Sequence, residues 1–328
     1  MKKTAITILI TTIILFGGLR SYHQTKAMNQ PQAFKKITIA QAFEVFLYAP
    51  LYIAEDKGFF KEEGLDVTIV TAGGDEKAFA SLLSGDAQFA VGDPTFVAVS
   101  GEQGQPGKVV AAVLRGTPFW GVAKKTEIKP ITEPRGLGKY SVATFPSPST
   151  AYTLQKNMFK LGNIKPNIKE IAFGSLLASL DTGAVDIALE LEPNVSTAVR
   201  NGAHIVYSLN DYSPEFAITG MTALPNYIKQ NPDTTQKIVN ALQKAMSYIH
   251  QHPNETSNLL IKKFPDVSKD IAADAVKNMI AAGVFPEDTR ITKNGWDAAI
   301  KARLDAGDLK QPANYENYVI TYFSDNAK

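Results

Sequence analysis

The stretch Pro50–Val70, PLYIAEDKGFFKEEGLDVTIV, constrains this chain more than any other. Pro50 is tolerated in a first helical turn, where its missing N–H is an orphan donor in any case. Leu51, Ile53, Ala54 and Gly58 follow with the spacing of a buried helical stripe, while Glu55, Asp56 and Lys57 fill the wet side. Gly58 suits a left-handed C-terminal cap, and Gly64 a turn into a strand over Leu65–Val70. A strand over Lys36–Ala40 (KITIA) precedes the helix. The segment therefore reads as a strand–helix–strand unit.

The alternation continues. A helix is expected from Asp75 to Leu83, broken by Gly85, then a short buried strand over Gln88–Val91, a helix over Pro94–Ser100 and a strand over Val109–Leu114. A second run places strands over Tyr140–Thr144, Ile168–Ala172, Asp186–Leu191 and Ile205–Ser208, with helices over Ser149–Leu161 and Ser175–Asp181. Strands apolar on both faces suit mostly parallel sheets covered by helices. The segment Lys124–Gly138, rich in Pro, Gly and charge, reads as a crossing between two lobes, and Phe216–Leu224 as the return. After Pro225 the pattern changes to long helices over Thr234–His250, Ser268–Ala282 and Asn294–Asp305. The expected fold is α/β and two-lobed, with mixed, mostly parallel sheets: residues 36–123 and 220–328 form a discontinuous first lobe closed by C-terminal helices, and 124–219 the second.

The wording of Pro50–Val70, with the strand before it, resembles the opening of the sulfonate/nitrate/taurine-type periplasmic solute-binding proteins, a family that also includes binders of thiamine-pyrimidine precursors. The likeness is strongest over Ile37–Val91 and weakest after Pro225. It implies a type II periplasmic binding protein of an ABC importer, whose partners are a small-molecule ligand and an inner-membrane permease and ATPase. It also implies that the loop Phe145–Thr150 holds a polar or anionic head of the ligand. A monomer is expected, with no cofactor and no metal.

The ends and composition are consistent with export. Lys2 and Lys3 precede an apolar run, Ala5–Leu19, of signal-peptide length, and Thr25-Lys26-Ala27, well downstream of it, offers small residues for cleavage, so residues 1–27 are expected to be a signal peptide and the mature protein periplasmic, with an uncleaved N-terminal anchor as the alternative. Removing them takes away Lys2, Lys3, Arg20 and Lys26 and leaves 30 basic against 32 acidic residues. No basic block remains, so nucleic acid is not an expected partner. The chain has no cysteine, which removes disulfides, thiolate chemistry and the lipid-modified cysteine of tethered binding proteins.

In open α/β sheets, ligands sit beyond the carboxyl ends of the strands. Five places answer that rule. Phe43, Phe46 and Tyr48 follow the first strand and could form an aromatic wall, or pack under the helix instead. Gly74 and Asp75 precede the next helix, where Asp75 can cap or bind. Asp93 and Pro94 follow Gln88–Val91 with the same two options. Ser147, Ser149 and Thr150 open the helix Ser149–Leu161, whose N-terminal N–H groups attract anions without a lysine or arginine. Glu190 and Glu192 emerge at the end of Asp186–Leu191; Glu190 could grip an amine or an aminopyrimidine edge, and Glu192 could simply open the next helix. If the Ser/Thr loop and Glu190 share one ligand, that ligand is a zwitterion such as an amino-sulfonate.

An enzyme on the same scaffold is the rival reading. The pyrimidine-synthesising relatives depend on a Cys-rich motif that a cysteine-free chain cannot supply. The sequence has no G-x-S-x-G elbow, P-loop or H-E-x-x-H motif, and Gly101–Gly107 reads as a turn. The expected function is capture of a small organic anion or zwitterion, resembling a sulfonate, taurine or nitrate, without catalysis. Binding of a thiamine-pyrimidine-type heteroaromatic, or ligand sensing on the same fold, is the alternative.

Overall fold

The computed structural model describes residues 33–147 and 149–328. The expected signal peptide, residues 1–27, lies outside the described residues. No helix among the described residues is long and apolar enough to cross a membrane.

Strand β1 (Lys35–Gln41) leads through a 3-10 turn, Phe46–Tyr48, into helix α1 (Ala49–Asp56) and the short α2 (Phe59–Glu62). Pro50 sits in the first turn of α1 and Gly58 takes a left-handed φ of 77° between the two helices, as their positions require. Strand β2 (Leu65–Thr71), α3 (Asp75–Ser84), β3 (Phe89–Gly92), α4 (Phe96–Gly101) and β4 (Lys108–Leu114) follow. Strand β5 (Trp120–Ala123) comes next, then β6 (Val142–Thr144), α5 (Thr150–Leu161), β7 (Ile168–Glu170), α6 (Leu176–Asp181), β8 (Ile187–Glu190), α7 (Asn194–Arg200) and β9 (His204–Ser208). The chain returns through β10 (Thr219–Ala223) to the helices α8 (Pro225–Gln230), α9 (Pro232–Gln251), α10 (Pro253–Lys263), α11 (Lys269–Ala281), α12 (Lys293–Ala306), α13 (Tyr315–Tyr318) and α14 (Tyr322–Asp325).

Two five-stranded sheets result, in the orders β2-β1-β3-β10-β4 and β7-β6-β8-β5-β9. In the first, β1 and β3 are parallel and β10 runs antiparallel to both β3 and β4. In the second, β6 is parallel to β7 and β8, while β5 is antiparallel to β8 and β9. Each sheet is mixed, and in each the antiparallel strand is the one that arrives from the other side of a crossing. Helices α3, α9 and α14 pack on the first sheet, and α5, α6 and α7 on the second.

The crossings differ from those expected. Trp120–Ala123, assigned from sequence to the first lobe, hydrogen-bonds into the second sheet opposite Leu189 and Tyr207. The first crossing is therefore residues 115–119, not Lys124–Gly138. The return runs over 209–218, and Thr219–Ala223 is already a strand of the first sheet. The two crossings are tied together: Gly116 N–H donates to the Phe216 carbonyl at 3.0 Å, and Leu209 N–H to the Phe119 carbonyl at 2.9 Å. Gly116 has a φ of +69°, and a Cβ there would lie 2.2 Å from Asn210 Oδ1, so glycine is required on both counts.

Candidate functional site

The carboxyl ends of β1, β3, β6, β7 and β8 converge on one cavity of about 230 Å³, at the small end for a solute site. From the first sheet, Phe43, Val45, Leu47 and Tyr48 line it after β1, with Asp75 at the start of α3 and Asp93 after β3. From the second come Phe145, Pro146, Ser149 and Thr150 after β6, Phe173 after β7 and Leu191 after β8. Pro118 and Phe119 of the first crossing, with Ile218 and Thr219 of the return, complete it. Among the described residues, no lysine, arginine or histidine lines this cavity.

The apolar part of the wall is aromatic and comes from both sides. The Phe43 and Phe173 rings are stacked, and Phe145 lies 5.2 Å from Phe173, centroid to centroid. Phe119 and Phe173 had no sequence signal beyond hydrophobicity. Phe119 follows Pro118 in a crossing that sequence placed elsewhere, and Phe173 lies just past the end of β7.

The polar part is a network around Asp93. One carboxylate oxygen accepts from Thr95 N–H at 2.8 Å and Thr95 Oγ1 at 2.6 Å, which turns the chain after β3 toward α4. The other accepts from Thr150 Oγ1 at 2.5 Å and from Arg303 Nη2 at 2.7 Å. Thr150 belongs to the second sheet's helix α5, so this hydrogen bond spans the two sheets. The Asp93 and Arg303 side chains are only 4% and 3% exposed, which makes theirs a buried ion pair. Burial disfavours the guanidinium charge, but Asp93 and Asp308 more than offset that and hold its pKa above the usual arginine value.

Asp75 accepts the Asp93 N–H on Oδ1 at 2.8 Å, and a Cβ on Gly92 would stand 2.5 Å from that same oxygen. Burial, and then the neighbouring Asp93 charge, raise the Asp75 carboxyl to about 6. Tyr48 is pushed well above the ordinary phenol range by burial and by Asp75. The cavity thus carries one neutralised carboxylate, Asp93, and one that Arg303 does not grip, Asp75.

Six of the residues chosen from sequence therefore lie on the cavity: Phe43, Tyr48, Asp75, Asp93, Ser149 and Thr150. Five do not. Phe46 is 1% exposed and packs against Phe264 in the core, because the 3-10 turn directs it beneath α1. Gly74 donates its N–H to the Ala42 carbonyl and shapes the loop instead. Pro94 lies against Gly220 of β10, at 3.0 Å from a Cβ built there. Ser147 faces outward, its N–H held by Glu170 Oε2 at 2.9 Å. Glu190 is buried behind Leu191, with Oε2 accepting from Leu191 N–H and Asn194 Nδ2, while Oε1 is buried without a partner. Burial raises its carboxyl to about 7. Glu192 opens α7, accepting from Ser196 N–H and Oγ, and also reaches Asn278 of α11. Ser149 caps α5 through Tyr152 N–H at 3.3 Å.

A cavity between two mixed five-stranded α/β lobes, at the carboxyl ends of the strands, is the arrangement of the periplasmic binding proteins. The structure superposes on a zinc-bound ligand-binding component of an ABC-type import system from Staphylococcus aureus with a TM-score of 0.70 at 16% identity, covering 90% of this chain and 99% of that one. Against the periplasmic aliphatic sulphonate binding protein SsuA of Escherichia coli the TM-score is 0.66 at 15% identity, covering 85% and 93%. In sequence the chain is 27% identical to YtlA of Bacillus subtilis (strain 168) over 300 residues, 89% of this chain and 90% of that one. Residues 46–256 match the NMT1/THI5-like family, and the chain belongs to it.

Proposed function

We propose that this protein is the extracytoplasmic solute-binding component of an ATP-driven importer. It captures one small molecule between its lobes, acts as a single chain and delivers its cargo to a membrane permease and ATPase. The lobes part at the crossings 115–119 and 209–218, so that 36–114 and 219–328 move against 120–208. The solute is a small planar ring, aromatic or heteroaromatic, that presents a hydrogen-bond donor or positive charge to Asp75.

One observation carries this reading: aromatic rings from both sheets and a carboxylate outside the grip of Arg303 face one cavity on which, among the described residues, no basic side chain lies. Aromatic walls favour a flat apolar partner, and an uncompensated carboxylate disfavours an anion. Capture rather than turnover is supported by what the cavity residues do: Ser149 is occupied as a helix cap, and Thr150 donates to Asp93.

A second reading keeps a sulfonate-, taurine- or nitrate-like solute. Its support is the amino end of the twelve-residue helix α5, where Ser149, Thr150 and Ala151 line the cavity. A thermal-shift screen separates the two. An aminopyrimidine at 100 times its Kd should add about 2.7 kcal/mol of stability, with no consumption of the compound. Stabilisation by taurine, an alkanesulfonate or nitrate, and not by the ring compounds, would overturn the aromatic reading.

A further inference from the structure

We infer that Arg303 is the positioning residue of this cavity: it holds Asp93 of the first lobe and Thr150 of the second together, and so sets how firmly the lobes close. The inference rests on the two-lobed closing motion proposed above. Arg303 does not line the cavity. It reaches the junction from α12, near the far end of the chain; all three nitrogens hold first-lobe groups, and one of them also meets the second lobe. Nε donates to Thr95 Oγ1 at 3.2 Å and Nη2 to Asp93 Oδ2 at 2.7 Å, both on the first lobe. Nη2 also lies 3.3 Å from Thr150 Oγ1 on the second. Nη1 is held by Asp308 Oδ2 at 2.9 Å, and the same oxygen accepts Thr153 Oγ1 of α5 at 3.1 Å.

Two hydroxyls of α5, Thr150 and Thr153, thus bind the two carboxylates that flank one buried guanidinium. Helix α12 is also attached to α5 along its length, through Asn157 Nδ2 to the Ala302 carbonyl at 3.4 Å and the Lys160–Asp305 pair at 3.2 Å. When the second lobe swings away, both hydroxyl contacts break, while Arg303 keeps Asp93 and Asp308. The arginine is therefore a fixed post on which the moving helix latches. Its planar fork serves carboxylates on separate nitrogens, which a lysine's single ammonium cannot reproduce. A buried guanidinium also demands its partners, so the Asp93 carboxylate is held in one place whether or not a solute is present.

The chain's lack of cysteine makes the test direct. Lys77→Cys on α3 and Lys169→Cys on β7, both exposed, provide one dye site on each lobe for energy-transfer distances measured without any solute. The labelled parent should show a predominantly short distance. Thr153→Val, which deletes one hydroxyl from the latch and lies off the cavity, should shift the closed-to-open ratio toward the long distance by about fivefold, the worth of one hydrogen bond. Its melting temperature should stay within about 3 °C of the parent. Arg303→Lys should shift the ratio further, and Arg303→Met further still. Folded Thr153→Val and Arg303→Lys proteins with the parent's distance distribution would overturn the inference, and Thr153→Val decides if Arg303→Met does not fold. Because no solute is added, failure here is distinct from failure of the solute screen.

Discussion

The Phe43 and Phe173 rings lie 12° from parallel with their centroids 5.7 Å apart, one ring following a strand of each sheet. Phe173 is 48% exposed, so truncating it removes little core packing. Phe173→Ala should therefore weaken binding of an aromatic solute by about tenfold while leaving the melting temperature nearly unchanged. Titration calorimetry with the ring compound found in the screen checks both the loss and its partial recovery in Phe173→Tyr.

Asp75 carries a pH dependence of defined sign. Its folded pKa, about 6, stands above that of the unfolded chain, so the native state keeps a proton the unfolded state has released. Stability falls as pH rises through the window from about 4 to 6, on the order of 2 kcal/mol after allowing for partial exposure. Asp75→Asn should abolish that part of the decline while keeping an acceptor for Asp93 N–H. Urea titrations of parent and variant at pH 4, 5, 6 and 7 give the difference directly.

Glu190 adds a second component with the same sign, reaching to about 7. Its unpartnered Oε1 means that the ionised form is buried without full compensation. Glu190→Gln should stabilise the protein at pH 8 by on the order of 3 kcal/mol and have little effect at pH 4. A variant that is less stable than the parent at pH 8 would show that the carboxylate has an interaction this structure lacks.

Gly121 faces Tyr207 across β5 and β9, and a Cβ there would stand 2.1 Å from the tyrosine ring. The ring cannot easily retreat, because its hydroxyl is bound to Gln155 Oε1 at 2.7 Å. Gly121→Ala should cost about 2–3 kcal/mol, seen as a lower urea midpoint with an unchanged slope.

What could be read from sequence was whatever local spacing encodes. The helix stripe after Pro50, the left-handed Gly58 and the Ser149 cap are written within a few residues of themselves, as are the loops after β1, β3 and β6 that line the cavity. Strand β5 was missed because four residues between Pro118 and Lys124 carry no period, and its neighbours Leu189 and Tyr207 lie far along the chain. Helix α10 was missed because only His252 separates the end of α9 from Pro253, so one helix runs almost into the next. Arg303 gave no signal at all: its partner Asp93 is 210 residues away, and only the fold brings them together. Glu190 differs: its partners Leu191 and Asn194 are close in sequence, but alternation along β8 does not tell which of its two faces meets the cavity.

The placement of β10 has a consequence for how this molecule can be divided. The first sheet takes its interior antiparallel strand from beyond both crossings, so a gene fragment ending at either crossing leaves that sheet short of an interior rung, whereas 120–208 carries every strand of the second sheet. The first half is therefore not a self-sufficient folding unit in such a fragment. Swapping a specificity between relatives therefore means exchanging non-contiguous stretches of sequence rather than one cassette.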